Sequence, residues 1–265
     1  MRLIVAATRD MKIRRSTNGT FDGPHTISIM GAGNCQDIDL AALANLFVEI
    51  RLVDIDAEAV NIVVSNCNAV VASRICVVAP VDIAAPLLTD FAASKDCSES
   101  GTAFVAALEA VAFGNQIPMS DVVVSTCLLS QLLDTASQIV SPDAAEFVPF
   151  IQAIRRGHLA RLLESTAAGG RTILITDLVS SDTVPELSHT SPHDMPKLMF
   201  ECLQSRNFFS GLSPAVVQND LQTIPALMSR CQSYQILPPW LWQLGERSFG
   251  VYAVDMVRSE GSSRE

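Results

Sequence analysis

The sequence has no CxxC pair, no zinc-like spacing of Cys and His, and no apolar run near the ~20 residues that span a bilayer. The first two absences exclude a recognisable structural metal framework, and the third excludes a membrane-spanning helix. Basic residues are also scarce: 18 Lys and Arg stand against 28 Asp and Glu, a formal charge of −10. An acidic surface repels phosphate backbones, so duplex nucleic acid is not expected as a partner. Five of the basic residues, Arg2, Arg9, Lys12, Arg14 and Arg15, crowd together near the start. "MKIRRSTNGT" looks like a twin-arginine export signal, but no apolar segment of ~7–15 residues follows it. A solvated basic leader over 1–24 is the expectation. Seven cysteines, an odd count without an export signal, suit reduced thiols in a cytoplasm.

What is abundant is apolar material, 49% of the chain, enough for one large covered core. Short runs rich in Val and Ile occur at Ile27–Met30, Ile50–Val53, Ile75–Val78, Val122–Ser125 and Thr172–Thr176. They are continuously apolar rather than alternating, the pattern of parallel strands buried on both faces. Helical patterns lie between and after them, at about Asp37–Phe47, Ala57–Ala69, Ala84–Ala93, Leu128–Ile139 and Ala144–Ala167. A further helix is expected near Ala103–Ala112. Alternation of this kind predicts right-handed crossovers.

The end of the chain breaks the alternation. "SYQILPPWLWQLGERSFGVYAVDMV" reads as two strands joined near Gly245, too close for a parallel crossover. Pro238-Pro239 marks an interruption or an edge in the first of them. The predicted fold class is therefore α/β: a doubly wound, mostly parallel seven-stranded sheet with helices on both faces and an antiparallel C-terminal hairpin. The predicted domain runs over 25–258, with insertions at about 94–120 and 180–227 and a flexible tail at 259–265. Within the second insertion, Ser213 and Pro214 make a good helix start.

"GAGN", Gly31 to Asn34, ends the first strand. Glycine lets the backbone turn sharply there and lets a ligand approach with no Cβ in the way. Asp54 lies 21 residues beyond Gly33, at the tip of the second strand. A carboxylate there accepts hydrogen bonds from two vicinal ribose hydroxyls. The pair implies a nucleoside-containing ligand. A dinucleotide site would carry GxGxxG, but the third glycine's place holds Gln36. Asp37 and Asp39 add negative charge where phosphates would dock, which favours a cationic or zwitterionic ligand.

At this point the segments "GAGN", "LVDID", "VVAPVDI" and "DVVVSTCLLSQLL", in that order, resemble the cofactor half of the class I, Rossmann-like S-adenosylmethionine-dependent methyltransferases. The resemblance covers about 27–178, and the closing hairpin agrees with it by topology. It implies that Gly31, Ala32, Gly33 and Asn34 shape the amino-acid end of S-adenosylmethionine. Asp54 and Ile55 would then lie at the ribose, Asp82 and Ile83 at the adenine, and Ser125, Thr126 and Cys127 beside the sulfonium. The family often has an acidic residue two places before the first glycine. Here Ile29 stands there, which leaves Asp37 or a backbone carbonyl for the methionine amino group. The Asn/Asp-Pro-Pro-Tyr signature of many amino-directed nucleic-acid methyltransferases is absent from the fourth strand, and a small-molecule acceptor is expected.

Other features have plainer readings beside functional ones. Cys127 has no legible His and acid around it, so packing is its default and nucleophilic catalysis its alternative. "HTSPHD" holds His189, His193 and Asp194 in what reads as a solvated loop without a metal framework, with His193 the candidate general base. Arg155, Arg156, His158 and Arg161 read as a solvated helical face, with an anionic acceptor or partner as the alternative. Trp240 and Trp242, at strand spacing, should point to one side, as sheet packing or as an aromatic pair beside the cleft. Two alternatives to a methyltransferase stay open: an NAD-dependent oxidoreductase, and a non-catalytic protein that retains a nucleoside pocket.

Overall fold

The computed structural model describes residues 26–83 and 117–260. The expected leader, the helices near 84–93 and 103–112, most of the first insertion and nearly all of the tail lie outside the described residues.

Among the described residues, seven strands form one sheet: β1 (Thr26–Met30), β2 (Glu49–Val53), β3 (Ile75–Val78), β4 (Ser120–Thr126), β5 (Thr166–Ser180), β6 (Cys231–Leu244) and β7 (Arg247–Arg258). Their order is β3-β2-β1-β4-β5-β7-β6. The pairs β1–β2, β1–β4, β2–β3 and β4–β5 are parallel, whereas β7 runs antiparallel to both β5 and β6. The chain therefore reverses its winding direction between β1 and β4. This is the doubly wound, hairpin-closed sheet that the apolar runs and the terminal turn predict.

The absence of alternation in the strands has a direct cause. Ile27 and Ile29 pack with Val122, Val124, Ile50 and Leu52 on one face, while Met30, Val53, Val123 and Leu174 pack on the other. The first face carries the short helices α1 (Leu40–Ala44), α2 (Ala57–Asn66) and α3 (Ala69–Ala72). The second is covered by α4 (Leu128–Ile139), α5 (Phe147–Glu164), α6 (Met195–Gln204), α7 (Pro214–Thr223) and α8 (Pro225–Met228). A 3-10 turn at Pro185–His189 precedes α6.

Several boundaries move for identifiable reasons. The helix expected over 37–47 is only α1, because Asp39, not Asp37, caps it by accepting from the Ala42 amide at 2.9 Å. The 57–69 pattern divides into α2 and α3, with Asn68 capping the second by accepting from Val71 N at 3.0 Å. The helix expected to reach residue 167 stops at Glu164, and β5 starts at Thr166 with an irregular register against β4. Ser213 does cap α7, with Pro214 in its first turn. β6 is the sheet's edge, and its pairing with β7 shifts between Leu237 and Trp240, where the two prolines sit.

The solvated arginine face is corrected outright. Arg155 Nε and Arg156 Nε bind the two carboxylate oxygens of Asp220 at 2.7 and 3.1 Å, joining α5 to α7. Asp220 is 1% exposed, and Arg155 also donates to the Gly211 carbonyl at 3.1 Å. His158 is fully buried against Ser125 of β4, with Nε2 and Oγ 2.9 Å apart.

Candidate functional site

The turn after β1 is held by strand ends on either side. Gly31 N donates to the Val53 carbonyl of β2 at 3.0 Å. On the β4 side, Thr126 Oγ1 donates to the carbonyls of Met30 and Gly31 at 3.1 and 2.6 Å. Gly31 has φ +73°, and a Cβ there would stand 3.2 Å from both the Leu128 Cβ and the Thr126 carbonyl oxygen. Glycine is favoured by the positive φ, and a Cβ would crowd both neighbours. Gly33 has φ +51° and faces open space where a side chain would stand.

Asp54 ties β2 to this turn. Its Oδ2 accepts from Gly33 N at 2.7 Å and its Oδ1 from Asp56 N at 2.9 Å. Each carboxylate oxygen has a second lone pair, so both keep capacity for a further donor. The turn and the acid, 21 residues apart in sequence, are thus one hydrogen-bonded unit.

Beside this unit lies a cavity of about 400 Å³. One wall is the turn itself, Gly31 through Ile38; Asp37 is its charged member. The other wall is mostly strand-borne: Thr126 at the exit of β4, Ile175 of β5, Val251 of β7, and Trp240, Trp242 and Leu244 of β6, joined by Cys127 and Gln131 at the start of α4. Of the residues expected to hold a cofactor, Gly31, Ala32, Gly33, Asn34, Asp37, Thr126 and Cys127 line the cavity. Asp54 lies behind the turn, Ile55 and Asp82 are exposed, and Ile83 is buried in the second-face core. Ser125 turns away from the cavity toward His158. His193 sits in an exposed turn outside the cavity wall.

Cys127 enters α4 with φ +51°. Burial, reinforced by the nearby Asp177 carboxylate, pushes its thiol pKa far above the ordinary range. Cys35, in the opposite wall, is pushed up to about 11 by burial and by Asp54. Both are therefore neutral thiols at neutral pH, unsuited to nucleophilic attack. Behind Cys127, the Asp177 carboxylate accepts from Ser130 Oγ, and burial raises its pKa. Burial depresses His158 to about 4, leaving a neutral imidazole wedged between α5 and β4. Among the described residues, no group of three or more His, Cys, Asp or Glu could hold a metal ion. No described helix is long and apolar enough to cross a membrane.

Reading along the chain overlooked Gln131, Asp177 and the cavity-facing strand wall. The tryptophans were visible as a pair, but their partners Val251 and Ile175 are brought in only by the sheet.

No protein-family model matches this sequence, and no curated protein matches it. Solved structures do resemble the chain. The plantazolicin methyltransferase BpumL in complex with SAH has a TM-score of 0.47 and 11% identity, over 96% of this chain and 83% of that one. The YcgJ protein from Bacillus subtilis has 0.44 and 12%, over 89% and 93%. The glycopeptide N-methyltransferase MtfA complexed with S-adenosyl-L-methionine has 0.42 and 12%, over 93% and 92%.

Proposed function

We propose that this chain is a single domain over about 25–258 that binds S-adenosylmethionine at the glycine turn and methylates a small-molecule acceptor. One observation carries the reading. The cavity opens where the strand order reverses, at the carboxyl ends of β1 and β4, with Gly31 and Thr126 in its walls. Doubly wound sheets hold ligands in that crevice.

The donor set fits this cofactor. Among the described residues Asp37 is the one charged side chain of the wall and no Lys or Arg lines the cavity, while Asp54 braces the turn. A pyrophosphate would meet repulsion there, and a sulfonium attraction. When bound, the cofactor supplies a methyl group already activated by a cationic sulfur. The protein's part is to hold, align and exclude water. Gly31, Ala32, Gly33 and Asn34 would cradle the amino-acid end, and Asp37 its ammonium. The outward lone pairs of Asp54 would take the ribose hydroxyls, with Ile55, Asp82 and Ile83 toward the adenine. Thr126 and Cys127 would form the floor, with Ser125 supporting it through His158.

A thermal-shift series with S-adenosylhomocysteine, S-adenosylmethionine and NADH tests this against the oxidoreductase reading. At a hundredfold excess over the dissociation constant, the correct ligand adds about 2.7 kcal/mol. Stabilisation by the first two and not by NADH is expected. Stabilisation by NADH alone would overturn the proposal.

A further inference from the structure

The strand-borne wall of the cavity differs chemically from the glycine turn. Trp240, Trp242 and Leu244 of β6 face it together with Val251 of β7 and Ile175 of β5. The two are the protein's only tryptophans. A β-bulge brings them there. Leu237 pairs with Ala253 and Trp240 with Val251, so three steps along β6 match two along β7. The surplus residue falls at Pro238-Pro239, where a missing ladder donor does least harm on an edge strand. Strict alternation from Leu237 would have turned Leu241 toward the cavity and both indoles away. With the bulge, Trp240 and Trp242 join Phe249 and Val251, while Leu241 packs into the core of the other face.

Two further observations narrow what this wall receives. The Trp242 Nε1 atom is buried without a hydrogen-bond partner, its ring tilted at 46° against Phe249 with centroids 6.1 Å apart. A buried N–H is normally paired; Trp242 lines the cavity, and a small turn of its ring would offer this N–H to a carbonyl or ring acceptor there. Among the described residues no Lys or Arg lines the cavity, so a carboxylate or phosphate would find no counter-charge in these walls. Indole faces favour another flat π-system in offset or edge contact.

We propose that this wall is the acceptor subsite, and that it takes a planar, uncharged aromatic molecule with a hydrogen-bond acceptor on its rim, held against Trp240 and Trp242. The inference deepens the proposed function and rests on the glycine turn being the cofactor's side of the cavity.

With two tryptophans, a ¹H–¹⁵N spectrum of the full-length protein contains two indole N–H signals, both from this wall. Titration with 4-quinolone should move both saturably. The signal of Trp242 should move downfield as its N–H gains an acceptor. 2-Naphthoate, flat but anionic, and decalone, neutral but not flat, should each bind at least tenfold more weakly. Trp240→Ala should weaken 4-quinolone at least tenfold, while Trp240→Phe restores most of the affinity. Silent indole signals at saturating 4-quinolone, equal binding of 2-naphthoate, or an unaffected Trp240→Ala would each overturn the inference. Calorimetry with S-adenosylhomocysteine separates this from the cofactor reading. If it binds while the indoles stay silent, only the acceptor assignment falls; if it fails to bind, the cofactor reading falls with the assignment that rests on it.

Discussion

Replacing Asp54 by Asn separates a structural brace from a binding group, because the two roles use different lone pairs. In the folded protein one carboxylate oxygen accepts from Gly33 N at 2.7 Å and the other from Asp56 N at 2.9 Å. Asparagine keeps one acceptor oxygen and puts an NH2 group where the other stood. The cheaper arrangement leaves the oxygen on Gly33, which is partly buried, and turns the NH2 toward Asp56, whose exposed amide then takes water. The fold should therefore lose only about 1 kcal/mol, the net value of one hydrogen bond. That corresponds to a fall in Tm of roughly 2–4 °C for a domain of this size. Ligand binding should suffer more. A ribose hydroxyl that would donate to a charged oxygen meets an NH2 group instead, and a hydrogen bond to a charged group contributes ~1.5–3 kcal/mol. S-adenosylhomocysteine should bind roughly 10- to 150-fold more weakly by calorimetry, since 1.4 kcal/mol is tenfold. A Tm lowered by several degrees with affinity unchanged within threefold would refute the reasoning and leave Asp54 as a clamp on the turn.

Two other perturbations probe the frame that carries the site. His158 is buried as a neutral ring with its pKa lowered from 6.5 to about 4, so protonation must precede or accompany unfolding in acid. The sign follows: its contribution is complete above pH ~6.5 and is lost as pH falls toward ~4, at 1.36 kcal/mol per pH unit, about 3 kcal/mol in all. Urea unfolding at pH 7.5 and 4.5 should show that loss, and His158→Gln should reduce the difference between the two pH values. Asp220→Asn removes the shared partner of Arg155 and Arg156 and should cost about 3–5 kcal/mol, the usual penalty for breaking a buried pair. The same urea titration at pH 7.5 checks it; a loss below 1 kcal/mol would mean that solvent reaches both arginines.

The sequence was most informative where the determining contacts are short-range. β3 and α4 fall at Ile75–Val78 and Leu128–Ile139, as their apolar runs and helical spacing predict. The closing hairpin turns at Gly245, with φ +61°, where glycine marks it. α1 came out shorter than its pattern because the capping competition between Asp37 and Asp39 depends on backbone angles that spacing does not reveal. Arg155 and Arg156 of α5 differ from their expected solvated state for a related reason. Their partner Asp220 lies 64 and 65 residues away, and only packing of α7 on α5 turns a polar stripe into a buried one.

What the sequence by itself determined is the alternating frame and the glycine turn with its acid, since steric freedom at Gly31 and apolar runs buried on both faces are properties of short stretches. Tertiary structure alone decided which side chains meet across the cavity. One extra residue at Pro238-Pro239 reverses the facing of everything beyond it on β6, and that extra residue exists only relative to β7. A register is a relation between two strands, so neither strand's sequence contains it.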